Sequence, residues 1–177
     1  MSVKEIIKKR QSNRGYKPDM VEREKIMQCI EAAHLAPSAC NAQPWKFVIV
    51  EEPALREQIA VAAKGMGMNK FVVQAPVIIA VVSESANAAS VIGSKIKRKD
   101  YTQIDLGIAV EHICLQAAEL CLGSCIVGWF NERAVKKILQ IPFTKRVPLL
   151  VTLGYPDDEQ RIKIRKKIED IYSFNKY

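Results

Sequence analysis

The stretch APSACNAQPWKF, residues 36–47, separates a helical pattern from an apolar run. The helical pattern stops at Pro37, and small polar residues follow before Pro44 and Trp45 lead into Phe47-Val48-Ile49-Val50. This order predicts a helix, a loop and a strand. The loop either only joins the two elements, or its small residues make room for a ligand.

The composition is that of an ordinary globular chain. Its 177 residues are 49% hydrophobic and 26% charged, which predicts a single domain over residues 1–177. The charged N-terminus lacks the apolar core of a signal peptide. The longest uncharged apolar runs, such as residues 76–82, are too short to span a bilayer. We therefore expect a soluble, cytoplasmic protein with no membrane partner.

The five cysteines predict neither a disulfide framework nor a metal site. They form no CxxC pair, and with two histidines in the chain a zinc site would need distant ligands to coincide. Cys114 and Cys121 fall on an apolar helical pattern, so we interpret both as small buried hydrophobes. Cys40 could be a nucleophile, but with no basic residue nearby in sequence a loop cysteine without a catalytic role is the better interpretation.

The net charge of +8 implies an anionic partner. Basic residues concentrate in residues 95–99 and 161–167. For the first run we favour a solvated surface segment, and the alternative is phosphate binding, either to nucleic acid or to a phosphorylated cofactor. Nucleic-acid binding is disfavoured because aromatic residues make up 7% of the chain and none interleave with residues 95–99.

Periodicity predicts four strands among five or six helices, and hence a mixed fold of helices and strands around one sheet. The predicted strands are residues 47–50, 77–82, 125–127 and 149–155. The predicted helices run from residue 3 to near Gly15, from about 26 to 36, from 53 to about 64, from 102 to about 122, and from 132 to 139. The continuous β-branched run at residues 77–82 indicates a strand buried on both faces.

The longest predicted helix is apolar nearly all round and leaves only a narrow polar stripe. Thr102 to Asp105 resembles a capping box at its start, and Gly123 is expected to end it. Such a helix must be buried nearly all round, which predicts a central position and a subunit interface. The small and basic residues 84–100 before it predict a mobile excursion.

The usual nucleotide and hydrolase motifs do not occur in this chain. Residues 65–70, GMGMNK, follow a predicted helix instead of a strand and lack the third glycine of a dinucleotide fingerprint. There is no Walker A lysine motif, no GxSxG elbow and no plausible Ser-His-Asp set. The sequence therefore does not predict hydrolytic side-chain catalysis.

Polar residues cluster in three other places. Arg10-x-Ser12-x-Arg14 carries two guanidinium groups, whose planar forks match phosphate oxygens. Ser38, Asn41 and Gln43 lie in the opening loop. Lys163-x-Arg165 points two cations to one side of an extended segment. Each motif alone is better explained as a cap, a turn or a solvated charge.

Taken in order, these motifs resemble the FMN-dependent nitroreductase family. The resemblance continues through Ala75-Pro76, Asp105-x-Gly107-x-Ala109, Leu122-Gly123, Ile126-Val127-Gly128 and Gly154-Tyr155-Pro156, and it covers nearly the whole chain. It implies an α+β, nitroreductase-like fold, in which helices flank a central mixed β-sheet and a long buried central helix lies at a dimer interface. FMN would lie across the interface of a homodimer.

The resemblance also implies roles for individual residues. Arg10 and Ser12 would bind the flavin phosphate or ribityl chain, Lys163 and Arg165 would close over the phosphate, and Arg14 would approach the pyrimidine side of the ring. Pro37, Ser38 and Asn41 would hold the ring edge and ribityl chain from the partner subunit. Val127 and Gly128 would present backbone N–H toward flavin N5, and Asn69 would touch the ring.

The implied function is a two-step reduction. NAD(P)H would transfer hydride to FMN, and a small electron acceptor such as a nitroaromatic or a quinone would then be reduced without a side-chain acid or base. Related proteins dehalogenate tyrosines, cleave flavin or oxidise peptide azolines, and residues 84–100 are shorter than the lid helices of larger members. The alternative is a non-catalytic or redox-sensing FMN-binding protein.

Overall fold

The computed structural model describes residues 1–84 and 99–177. Most of the excursion predicted over residues 84–100, and all of the basic run 95–99 except Lys99, therefore lies outside the described residues. Within these two ranges, no helix is long and apolar enough to cross a bilayer.

Nine helices and strands make up the regular structure of the described residues, apart from short 3₁₀ turns. In chain order they are α1 (Val3–Lys9), α2 (Arg23–His34), β1 (Trp45–Val50), α3 (Pro53–Ala63), β2 (Val77–Ser83), α4 (Tyr101–Glu119), β3 (Gly123–Val127), α5 (Glu132–Ile138) and β4 (Arg146–Gly154). The α+β architecture predicted from the sequence is confirmed. All four predicted strands are present, each within a few residues of its expected bounds.

The strands form one sheet in the order β1-β2-β4-β3. Every neighbouring pair is antiparallel, with Phe47 opposite Val81 and Ile126 opposite Val151. Among the residues that the structure describes, a parallel pairing occurs at the bridge between Ser12 and Ser124. The N-terminal segment therefore continues the sheet beside β3.

β2 lies in the middle of the sheet and is buried on both faces, as its continuous apolar run predicts. Ile79 and Val81 face the core that α2 and α4 cover, whereas Ile78 and Ala80 face the core that α3 and α5 cover. The sheet is thus the middle layer of three. This arrangement leaves the ends of the strands for a site.

α1 is shorter than its periodicity predicts. It ends at Lys9, and Arg10 already has an extended backbone with ψ of 128°. The Asn13 backbone N–H donates to the Ser124 carbonyl at 2.9 Å, so pairing with β3 replaces another helical turn. Residues 10–14 are therefore strand-like, and the expectation of a helix to near Gly15 was wrong.

Both ends of α4 also differ from expectation. Asp100 caps the helix, its carboxylate accepting from the Gln103 backbone N–H at 3.2 Å, so the capping box at Thr102 does not form. The helix ends at Glu119, before Gly123, because Cys121 takes a left-handed conformation with φ of 61°. The Leu122 backbone N–H then donates to the Ala117 carbonyl at 2.7 Å, which closes the last turn as a Schellman motif.

α4 is buried along one side by α2 and the sheet. On its other side Ile104 is 52% exposed, and Ile108 and Leu115 are half-buried. A Cβ added at Gly107 would meet no atom within 4 Å. The described residues of a single chain therefore leave part of this apolar helix uncovered, although its sequence predicts burial nearly all round.

Candidate functional site

The two ends of the chain run side by side next to β3. The Asp157 backbone N–H donates to the Gly15 carbonyl at 3.0 Å, and the Lys17 N–H donates to the Tyr155 carbonyl at 2.9 Å. Tyr16 and Pro156 form an isolated bridge between them. These contacts bring Arg10-x-Ser12-x-Arg14 close to the residues that follow β4.

Side chains extend this pairing. Gln11 donates through Nε2 to the Glu159 carbonyl at 3.0 Å and accepts through Oε1 from the Arg161 backbone N–H at 3.0 Å. Asn13 Nδ2 donates to Asp158 Oδ1 at 2.6 Å. Gln11 is 8% exposed and Asn13 5%, so both amides are buried with polar partners.

A cavity of about 280 Å³ opens where the two segments meet. Its lining includes the predicted residues Arg10, Ser12, Arg14, Lys163 and Arg165, together with Gln11, Arg161, Ile162 and Ile164. The structure thus brings five of the predicted site residues to one place. It adds a fifth cationic side chain, that of Arg161, to the predicted four.

Protein groups already orient these cations. Arg10 Nε lies 3.6 Å from Glu111 Oε1 of α4, and Lys163 Nζ donates to the Ile7 carbonyl at 2.6 Å. The Arg161 guanidinium donates to the Ser12 carbonyl. These contacts leave further guanidinium and ammonium N–H groups for a ligand.

The electrostatics of the cavity favour an anion. Burial lowers the pKa of Lys163, and the positive charges of Arg10 and Arg165 lower it further against the opposing effect of Glu111. The cations therefore repel one another in the protein alone. A phosphate, which accepts several charge-assisted hydrogen bonds, would relieve that repulsion.

The loop at residues 36–43 has an unusual backbone. Cys40, Asn41 and Gln43 have positive φ of 52°, 51° and 46°, a region that costs most non-glycine residues roughly 1–2 kcal/mol. Ser38 Oγ accepts from the Gln43 N–H at 2.9 Å, and Gln43 Nε2 donates to Asn41 Oδ1 at 3.1 Å. Internal hydrogen bonds therefore hold the loop in one conformation.

Asp105 fixes this loop to α4. Its two carboxylate oxygens accept from the Ala39 backbone N–H at 3.1 and 3.2 Å, and the side chain is buried. Pro37 and Asn41 remain exposed, and Ser38 is half-buried. None of these three predicted residues lines the cationic cavity of its own chain.

A third group contains Asn69, Val127 and Gly128. Asn69 is left-handed with φ of 56°, and its Nδ2 donates to the Trp129 carbonyl at 2.7 Å and to the Ala63 carbonyl at 3.3 Å. Val127 is buried at the end of β3, and Gly128 follows it. Asn69 is thus tied to the segment that contains Gly128, and none of the three lines the cationic cavity.

Trp129 lies beside this third group and was not among the predicted site residues. Its indole is 58% exposed, and Nε1 would lie 3.3 Å from a Cβ added at Gly65. Gly65 therefore makes room for the indole. This role differs from the phosphate binding of a dinucleotide fingerprint, which residues 65–70 only partly resemble. The exposure of Trp129 follows from the fold, and the sequence signal that could have pointed to it is its place directly after Gly128.

Two of the buried thiols lie in surroundings that disfavour the thiolate. Burial raises the pKa of Cys114 to about 11 and that of Cys29 to about 12. The prediction of a buried thiol is confirmed for Cys114 and wrong for Cys121, which is exposed because α4 ends before it. Lys9 Nζ donates to Cys121 Sγ at 3.1 Å. In the described part of the chain, no group of three or more His, Cys, Asp or Glu side chains could hold a metal ion.

Known proteins resemble the chain over most of its length. Residues 7–155 match the family model described as the Nitroreductase family. An NADH dehydrogenase of Thermus thermophilus is 29% identical, with 85% of each chain covered.

Two solved structures resemble the fold as well as the sequence. A nitroreductase family protein from Clostridium novyi NT is 34% identical, covers 89% of this chain and 87% of its own, and has a TM-score of 0.78. An FMN-dependent nitroreductase from Clostridium difficile R20291 is 27% identical, and the match covers 97% of this chain and 98% of the other. Its TM-score is also 0.78.

Proposed function

Because this chain belongs to the nitroreductase family, we propose that it is an FMN-dependent oxidoreductase that uses NAD(P)H to reduce small acceptors such as nitroaromatics or quinones. The observation that carries the proposal is the cationic cavity shared by the two ends of the chain. Family membership supports the oxidoreductase activity, and the cavity supports the binding of a phosphorylated cofactor.

The residues of the cavity suit the phosphate of FMN. Its lining combines four arginines and one lysine with the Ser12 hydroxyl. The lowered pKa of Lys163 marks a cluster of positive charges in which a dianion would be favourable. Arg10, Ser12, Lys163 and Arg165 would hold the phosphate and ribityl chain.

When bound, FMN supplies the hydride chemistry between NAD(P)H and the acceptor. The protein supplies binding, orientation and charge. Arg14 would place a fixed positive charge on the pyrimidine side of the ring. Val127 and Gly128 would present backbone N–H to the ring edge, and Asn69, whose Nδ2 bonds the Trp129 carbonyl, would touch the ring.

Pro37, Ser38 and Asn41 would contact the flavin from the partner subunit of a homodimer. None of the three lines the cationic cavity of its own chain, which agrees with this assignment. The internal hydrogen bonds of the loop and its attachment to Asp105 would keep it in position before the cofactor binds.

Uncovered apolar surface supports the homodimer. α4 exposes Ile104 beside Gly107, which a partner helix could approach closely because it has no side chain. The C-terminal segment adds Ile162 and Ile164, which are 94% and 90% exposed. Burial of such residues against a second copy would stabilise the homodimer by roughly 1.5–3 kcal/mol for each large side chain.

We further propose that residues 1–177 act as one domain of a cytoplasmic protein.

The test is a visible absorption spectrum of the freshly purified protein under argon, recorded before and after NADH and NADPH are added in turn. We expect a yellow protein that at least one donor bleaches. Re-oxidation by a nitroaromatic such as nitrofurazone and by a quinone such as menadione would then rank the acceptors.

Two other outcomes would contradict the proposal in different ways. A flavin spectrum that neither donor bleaches would indicate a non-catalytic or redox-sensing flavin-binding protein. A colourless protein that also fails to take up added FMN would contradict the cofactor assignment itself.

A further inference from the structure

Asp158 is a carboxylate whose two oxygens bond the N-terminal segment and lie near a cation that follows it in the chain. Its Oδ1 accepts from Asn13 Nδ2 at 2.6 Å, and its Oδ2 accepts from the Arg14 backbone N–H at 3.1 Å. The same Oδ2 lies 4.0 Å from Arg161 Nη2. Asp158 itself is not part of the cavity lining.

We propose that Asp158 is a positioning residue that assembles the anion-binding cavity from the two ends of the chain. The inference rests on the proposed function, because it takes the anion to be the phosphate of FMN. Asp158 would act through Arg14 and Arg161, and it would not touch the cofactor.

Asp158 contacts the backbone of Arg14 and the side chain of Arg161, and both contacts support this role. Oδ2 fixes the backbone from which the Arg14 side chain extends, and it attracts the guanidinium of Arg161. That guanidinium donates to the Ser12 carbonyl, between Arg10 and Arg14. One carboxylate therefore influences the position of three groups that line the cavity.

Removal of Asp158 would leave the two segments attached. The Gln11 side chain still bonds Glu159 and Arg161, and the backbone bond from Asp157 to Gly15 remains. Substitution should therefore disorder the lining without separating the ends of the chain. The Asn13 amide and the Arg14 N–H would lose their acceptor, which is costly for the buried amide.

Positioning and simple electrostatics predict opposite results. If the Asp158 charge acted only through space, its loss would make the cavity more positive and FMN would bind more tightly. If Asp158 positions the cations, its loss would weaken FMN binding because the lining is no longer ordered beforehand. Riboflavin, which lacks the phosphate, distinguishes loss of the phosphate site from general damage.

The experiment measures the dissociation constants of FMN and riboflavin for the full-length protein after its flavin has been removed, by quenching of flavin fluorescence. We expect Asp158→Ala to weaken FMN binding by about 10- to 100-fold. Riboflavin keeps the ring beside Arg14 but lacks the phosphate, so its binding should weaken by a smaller factor, and the dissociation constant of FMN should rise relative to that of riboflavin. Asp157→Ala is the matched control, since the Asp157 side chain is exposed and only its backbone N–H bonds Gly15.

Asp158→Asn provides a second variant of the same size, which keeps one acceptor oxygen and should lose less FMN affinity than the alanine variant. It carries the test if Asp158→Ala does not fold. Tighter FMN binding, an unchanged ratio, or an equal loss for both flavins would overturn the inference. A wild-type protein that binds neither flavin would instead contradict the proposed function.

Discussion

Lys163 shares its cavity with four arginines, and the positive charges of two of them make its ammonium group easier to deprotonate. Burial lowers the pKa of Lys163, and Arg10 and Arg165 lower it further. A bound phosphate would favour the charged ammonium, so binding and protonation are linked. FMN affinity should therefore fall as pH rises through the lowered pKa of Lys163, because the cation that binds the phosphate is lost there.

This pH dependence can be measured by flavin fluorescence titrations between about pH 7 and about pH 10. The lower end of this range lies below the usual pKa of lysine. Lys163→Arg is the control, since a guanidinium stays protonated throughout this range. We expect the decline in affinity to disappear in that variant. An equal decline in both proteins would assign the pH dependence to another group.

The sequence predicts the cations of the site better than the residues that hold them. Arginines and lysines at alternate positions suggest phosphate binding on chemical grounds, as for Lys163 and Arg165. Gln11 and Asn13 were missed because a helical interpretation of residues 10–14 hides the alternation of buried and accessible positions. Asp158 was missed because its partner Asn13 is 145 residues away in the chain, and sequence alone does not place them together.

At the scale of elements, two helix ends use residues other than glycine in a left-handed conformation. Cys121 follows α4 with φ of 61°, and Gln140 follows α5 with φ of 53°. Both complete Schellman motifs, with Leu122 donating to Ala117 and Ile141 donating to Lys136. Glycine is the usual residue at this position because it has no Cβ to clash.

Cys121→Gly should therefore raise the free energy of unfolding by about 0.5–1 kcal/mol. This net value already allows for loss of the contact with Lys9 and for the added freedom of glycine in the unfolded chain. Urea denaturation monitored by circular dichroism measures the change. Gln140→Gly is the companion variant at the equivalent position of α5. A loss of stability in both variants would contradict the argument from backbone conformation.

Elements were predictable where one local signal decided them. The apolar run of β2, Pro37 after α2 and Pro53 at the start of α3 each gave bounds close to those observed. The end of α1 was wrong because a distant partner decided it, whereas the ends of α4 depend on Asp100, which caps the helix, and on the left-handed Cys121. Ser124 pairs with the N-terminal segment, and Asp105 bonds the Ala39 N–H instead of taking part in a capping box.

At the scale of the molecule, the described residues of one chain leave one apolar side of α4 exposed. Its sequence predicts burial all round, whereas a single chain buries one side and leaves Ile104 52% exposed. The loop at residues 36–43 is fixed to this same helix through Asp105, and its predicted flavin contacts Pro37, Ser38 and Asn41 do not line the cationic cavity of their own chain. A second copy packed against α4 would cover the apolar side and could bring that loop to the flavin of its neighbour.

This arrangement predicts that oligomeric state and flavin binding fail together. Ile104→Asp places a charge on the uncovered side of α4, where burial without a partner is unfavourable. We expect light scattering after size exclusion to show a shift from dimer to monomer, and the monomer to lose at least tenfold in FMN affinity as the partner's loop is removed. Val61→Asp is the matched control, because Val61 is 71% exposed on α3, on the opposite face of the sheet. A monomeric Ile104→Asp protein with unchanged FMN affinity would show that one chain forms a complete site, and a variant that stays dimeric would place the interface away from Ile104.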